Sequence, residues 1–193
     1  MVDKLPFLPD DHHYAIAAVA TRSGQLESAI ESCIAVFFPS SPRVGAFILK
    51  NMNGDRYMDL LKELLTDLSA ESDRALVVHA FQRIKALRTE RNEILHWLYG
   101  ESGDPTLAKY VSMRPHRDFQ ERTKTAAQIQ AVAEEMLDMT LVTTSLTALA
   151  MKLVASPYKP ETPDILPDLA WRGLLDRYQR GEPLRPQPQP SPK

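Results

Sequence analysis

Residues 77–100 read VVHAFQRIKALRTERNEILHWLYG. At about 100° of rotation per residue, Val77, Ala80, Phe81, Leu87, Leu95 and Leu98 fall within about 60° of Ile84, which predicts an amphipathic helix. Ser69 or Ser72 is placed to cap it and Gly100 to stop it, giving a helix over 72–99. Polar residues interrupt the apolar arc. Arg91 lies near its centre, Arg88 inside it, and Asn92 at its flank, while His96 lies about 120° from Ile84. A guanidinium withdrawn from water without partners is costly, so Arg91 has to meet a carboxylate, carbonyls, another subunit or a cleft open to water. His96, about 7.5 Å further along the axis, is expected to border the same groove as Arg91 without touching it.

Outward from this helix the chain also reads as helix. Glycine is scarce and apolar residues recur at three and four, which predicts an all-α domain. A first helix is expected over 11–38, capped by Asp10 or Asp11 and ended by Pro39, with a stripe of Ile16, Val19, Ala20, Leu26, Ile30, Ile34 and Phe37. The loop PSSPRVG leads to a short piece at 46–51 and then a second helix over 54–68, with Tyr57, Leu60, Leu61, Leu64, Leu65 and Leu68 on one side. A fourth helix fits 123–155, with Ile129, Val132, Met136, Leu137, Leu141, Leu149 and Leu153 facing in and a threonine cluster at 140, 143, 144 and 147.

Between the third and fourth helices, 101–122 carries turn signals. There TLAKYVSM is expected to form a strand paired with a short piece near Phe119, a short irregular or β-hairpin insertion. The organisation is then an extension over 1–10, a helical bundle over 11–155, a proline-rich linker and short helix over 156–182, and a tail over 183–193. The tail, RPQPQPSPK, is expected to be disordered.

Net charge is −2, which argues against a general nucleic-acid coat protein but leaves room for a local basic site. The single cysteine, Cys33, excludes an internal disulfide and a cysteine-built zinc site. Its neighbours Ile30, Ile34 and Phe37 predict a buried apolar residue. MVDKLPFLPDDHH lacks the order of a signal peptide, and no apolar run approaches the ~20 residues of a membrane span, so a cytoplasmic protein is expected. Asp10-Asp11-His12-His13 reads as helix capping with exposed histidines rather than a metal cluster, and His79 as solvent-facing.

Arg91-Asn92-Glu93-Ile94-Leu95-His96 resembles the signature of the HEPN superfamily: an arginine, a polar residue directly after it, and a histidine separated from the arginine by four to six residues. An arginine five before a histidine is a weak signal alone. The asparagine after it, and the position at the end of a third helix, sharpen it. The resemblance covers about residues 11–155. It implies a four- to five-helix up-down bundle that forms a homodimer, bringing two motifs into one cleft. It also implies a metal-independent endoribonuclease without a cofactor, of toxin–antitoxin or defence type. His96 is then general base or acid at an RNA 2′-hydroxyl, Arg91 holds the scissile phosphate, and Asn92 orients the pair or bonds substrate. Histidine suits proton transfer near neutral pH, and arginine matches phosphate geometry.

Arg88, Tyr99, Arg114 and Arg117 are the candidate substrate-binding residues. RNA, a second copy of the chain and an antitoxin or nucleotidyltransferase are the implied partners. Some toxins of the superfamily carry, two residues after the histidine, a tyrosine that a nucleotidyltransferase modifies; here Tyr99 stands three after, which puts that regulation in doubt. A structural reading stands beside the catalytic one, because the superfamily includes noncatalytic members. In it Arg91 and His96 hold a dimer or a ligand, Arg88 makes an ion pair, the basic stretch Arg114–Lys124 is a solvated loop, and Trp97 and Tyr99 pack rather than stack on bases.

Overall fold

The computed structural model describes residues 8–38, 47, 51, 54–69, 71–100, 102–104, 106–111, 121–155, 169–182 and 184. In chain order the elements are α1 (Asp10–Ala35), α2 (Gly54–Leu68), α3 (Glu71–His96), β1 (Leu98–Gly100), β2 (Leu107–Val111), β3 (Glu121–Thr125), α4 (Ala126–Ala155) and α5 (Leu169–Gln179). The described residues are mostly helical, with one three-stranded antiparallel sheet in the order β1-β2-β3. Among them no helix is long and apolar enough to cross a membrane. The PSSPRVG loop, Arg114, His116, Arg117, the proline-rich linker and the RPQPQPSPK tail lie outside the described residues.

The chain divides into two compact units, 1–26 with 84–137 and 27–83 with 138–193. In the first, Leu8, Ala15, Val19 and Leu26 of the N-terminal stretch are buried, as are Ile84, Leu87 and Ile94 of α3 and Ile129, Val132, Ala133 and Met136 of α4. Ala20, expected in the stripe of α1, is exposed, and Ile16 is only half-buried. Ser23 takes an inward position instead, between Val19 and Leu26.

The third helix ends at His96, three residues earlier than expected. Trp97, Leu98 and Tyr99 are residues that favour a pleated, half-buried surface, and Leu98–Gly100 forms β1, so Gly100 closes a strand rather than a helix. Tyr99 faces Tyr110 across the β1–β2 pair, and Tyr110 faces Arg122 across β2–β3. The Tyr99 hydroxyl donates to the Ile94 carbonyl at 2.5 Å, satisfying one of the last carbonyls of α3. The strand expected within TLAKYVSM is present as Leu107–Val111 and pairs on both its edges.

His12 is buried rather than exposed. Its Nδ1 lies 3.1 Å from Asp11 Oδ1 and its Nε2 lies 3.4 Å from the Lys124 carbonyl, so the ring ties the start of α1 to the end of β3.

The buried positions of α3 follow a seven-residue rule more closely than a straight 3.6-residue helix. Val77, Ala80, Ile84, Leu87 and Ile94 are fully buried, alternating at three and four, whereas Leu95 is half-buried. A seven-residue repeat drifts by about 20° per heptad relative to an ideal helix, which moves the inward face from Leu95 to Ile94. The same spacing puts Arg91 between Leu87 and Ile94 in this series.

In the second unit, Ile30, Cys33, Ile34, Tyr57, Met58, Leu61, Leu65, Val77, Phe81, Met139, Val142 and Leu146 are buried. Burial pushes the Cys33 thiol up to about 11, despite a hydrogen bond with Thr147. Thr143, Thr144, Ser145 and Thr147 each donate to the carbonyl four residues earlier, so their hydroxyls are satisfied within α4. The Ser69 hydroxyl turns back to the Leu65 carbonyl instead of capping α3. His79 is exposed, with its ring 5.9 Å from that of Tyr178 in α5. Gly181, at φ 68°, ends α5: Gly181 N–H donates to the Tyr178 carbonyl and Glu182 N–H to that of Arg177.

Candidate functional site

Arg91, Asn92 and His96 converge at the end of α3, and Ser23 of α1 joins them. Arg91 Nη1 donates to Asn92 Oδ1 at 2.9 Å and meets His96 Nε2 at 3.3 Å. Arg91 Nε donates to Ser23 Oγ at 3.4 Å. Arg91 and Asn92 are half-buried and His96 is exposed.

The expectation that Arg91 and His96 would not touch is therefore corrected. The rise between their backbones is real, but an extended arginine side chain spans most of it, and His96 is the last residue of its helix.

A guanidinium has five N–H donors and no acceptor, so a hydrogen bond from Arg91 to His96 uses a lone pair on Nε2. Asn92 presents its carbonyl oxygen, and Ser23 accepts while donating its own hydroxyl to the Ala20 carbonyl at 2.9 Å. No carboxylate pairs with Arg91 among the described residues. Its Nη2 has no hydrogen-bond partner there and is not sealed from solvent.

The opposite face of the same helical turns is built differently. Glu93 pairs with Arg122 at 2.8 Å and Glu90 with Lys124 at 3.7 Å. Arg122 also lies 5.8 Å from the centre of the Trp97 ring, and Lys109 pairs with Glu121 at 2.9 Å across the sheet. The rings of Trp97 and Tyr99 stand 5.5 and 6.0 Å from that of Tyr110. Burial pushes the Tyr110 phenol up to about 12, with the Glu93 carboxylate adding to the effect. Burial, followed by Tyr110, also pushes the Tyr99 phenol well up.

The substrate-binding candidates are thus distributed. Tyr99 has its hydroxyl on Ile94 and its ring against Tyr110, and makes no hydrogen bond to Arg91, Asn92 or His96. Arg88 is half-buried and already engaged. Of the basic stretch, Arg122 and Lys124 are matched by glutamates, and Arg114 and Arg117 lie outside the described residues. Ser23 is the residue sequence reasoning missed. Its signal was a small polar side chain spaced four after Val19 and three before Leu26, within an apolar stripe.

No protein-family model, no curated protein and no solved structure matches this chain.

Proposed function

We propose that this chain is a metal-independent endoribonuclease of HEPN type, with Arg91 binding the scissile phosphate and His96 transferring the proton. The observation that carries the proposal is that Arg91, half-buried at an inward position of α3, has no carboxylate partner among the described residues and touches an exposed imidazole. A fixed cation without a matching carboxylate is what an incoming oxyanion requires.

The chemistry follows from the groups present. A phosphodiester oxygen accepts from the free Nη2 and competes with His96 for Nη1. Once released, Nε2 of a neutral imidazole offers a lone pair to the proton of the RNA 2′-hydroxyl, as a general base requires. The 2′-oxygen attacks phosphorus and the bond to the 5′-oxygen breaks. The imidazolium then returns a proton to that oxygen, leaving a 2′,3′-cyclic phosphate and a 5′-hydroxyl. Arg91 offsets the charge growing on the phosphoryl oxygens, and Asn92 holds Nη1 through its carbonyl. RNA supplies its own nucleophile, so none of these steps requires a metal. A homodimer with two such sites in one cleft, an antitoxin or nucleotidyltransferase partner, and a toxin–antitoxin or defence role belong to the same proposal.

The test is cleavage of mixed RNA in EDTA by wild type and by the His96→Ala variant. Wild type is expected to cut and leave cyclic phosphate ends. Loss of the acid–base group is expected to slow cleavage by about 10²–10⁴-fold. No cleavage by wild type, or equal cleavage by the variant, favours a noncatalytic role in which the cluster binds a ligand or a second subunit.

A further inference from the structure

Arg91 and Ser23 interrupt two apolar stripes at the same place. On α3 its neighbours in the inward series are Leu87 and Ile94, and on α1 the neighbours of Ser23 are Val19 and Leu26; all four apolar residues are buried. Ser23 itself is 5% exposed, yet it is small enough to leave room for a guanidinium beside it. A valine or leucine at 23 would continue the stripe of α1 and occupy that room. The hydroxyl has a defined polarity: it donates to the Ala20 carbonyl, so a lone pair faces Arg91 Nε.

We infer that Ser23 is a positioning residue that fixes the plane of the Arg91 guanidinium. Holding Nε on Ser23 directs Nη1 toward Asn92 and His96 and leaves the Nη2 edge open for an oxyanion. Ser23 touches no reacting atom and acts only through Arg91. The inference rests on reading Arg91 as the oxyanion-binding group.

Two readouts keep the failure of each idea separate. The first is the NMR signal of the Arg91 Nε–H, measured in wild type, Ser23→Ala and Ser23→Thr. It is expected to be ordered and protected from exchange in wild type, to collapse toward that of exposed arginines in Ser23→Ala, and to return in Ser23→Thr. The second is RNA cleavage by the same proteins. Ser23→Ala is expected to lower kcat/KM by roughly 10-fold, the effect of one lost hydrogen bond to a charged group, with an unchanged melting temperature.

An Nε–H signal that Ser23→Ala leaves unchanged overturns the role of Ser23 whether or not RNA is cut. A wild type that cuts no RNA, with an Nε–H signal that still depends on the hydroxyl at 23, overturns the nuclease reading and sustains the positioning role. Cleavage that Ser23→Ala reduces only in step with a lower melting temperature makes Ser23 merely structural and overturns the inference.

Discussion

Glu93 and Arg91 stand two residues apart on α3, yet their surroundings follow opposite rules. Glu93 faces Arg122 and Glu90 faces Lys124, so the face toward the sheet is a set of matched charges. Arg91 is less exposed than a solvated surface cation and, among the described residues, hydrogen-bonds to Ser23, Asn92 and His96, none of which is a carboxylate. Matched charges account for themselves within the fold. An unmatched, half-buried cation at an otherwise apolar position does not, and the ligand of the proposed function would supply the missing charge.

The sharpest way to break this contrast is Arg91→Leu, which continues the apolar series of α3. If Arg91 serves a ligand, losing this donor is expected to slow RNA cleavage by about 10²–10³-fold. Replacing a half-buried charge that lacks a carboxylate partner with an apolar side chain in the same stripe is expected at the same time to leave stability unchanged or raise it by about 1 kcal/mol in denaturant unfolding. A variant that loses stability instead makes the guanidinium a structural strut, no different from Arg122.

The matched face has a flaw of its own, which gives an intermediate effect. Tyr110 is fully buried and its hydroxyl has no partner among the described residues. Its phenol is pushed up to about 12, above the ordinary tyrosine value of 10.0. A raised value means that the stability it contributes is present below about pH 10 and is lost as pH rises through about 12, because the unfolded chain releases its proton first. Unfolding followed from pH 9 to 12 is expected to show that loss, and Tyr110→Phe to make the curve flatter. The same substitution at neutral pH is expected to cost nothing, since an unsatisfied hydroxyl is removed. A Tyr110→Phe variant that is clearly less stable at neutral pH implies a bond that this account lacks.

The smallest effect is expected from Glu93→Gln. Its partner Arg122 is 51% exposed, although Glu93 itself is 13% exposed, so breaking the pair is expected to cost about 1 kcal/mol. Cleavage should be unchanged. A drop in cleavage comparable to that of Arg91→Leu would erase the distinction between the two faces.

Much of the helical frame was legible in the sequence because apolar spacing survives without knowledge of neighbours: α2 spans the expected residues, and α1, α3 and α4 differ only near their ends. The ends were less legible for a physical reason. Trp97–Tyr99 continues a helical pattern locally, and only pairing with β2, a partner nine to thirteen residues further on, makes Leu98–Gly100 a strand. Arg91, Asn92 and His96 were legible as a cluster because they share one helix. Their direct contact was not, since backbone rise says little about the reach of an arginine. Ser23 lies 68 residues from Arg91, a distance over which helical periodicity carries no information. The burial of His12 depends likewise on a carbonyl at Lys124.

The central claim is that the Arg91 guanidinium is available to an oxyanion from outside and releases His96 when it binds one. Titration of the full chain with inorganic phosphate, read by NMR at the His96 ring and the Arg91 side chain, tests it most directly. The account predicts saturable shifts at both residues in wild type and in Glu93→Gln, and no shift at His96 in Arg91→Leu. Absence of any shift in wild type, or an equal His96 shift in Arg91→Leu, would contradict it.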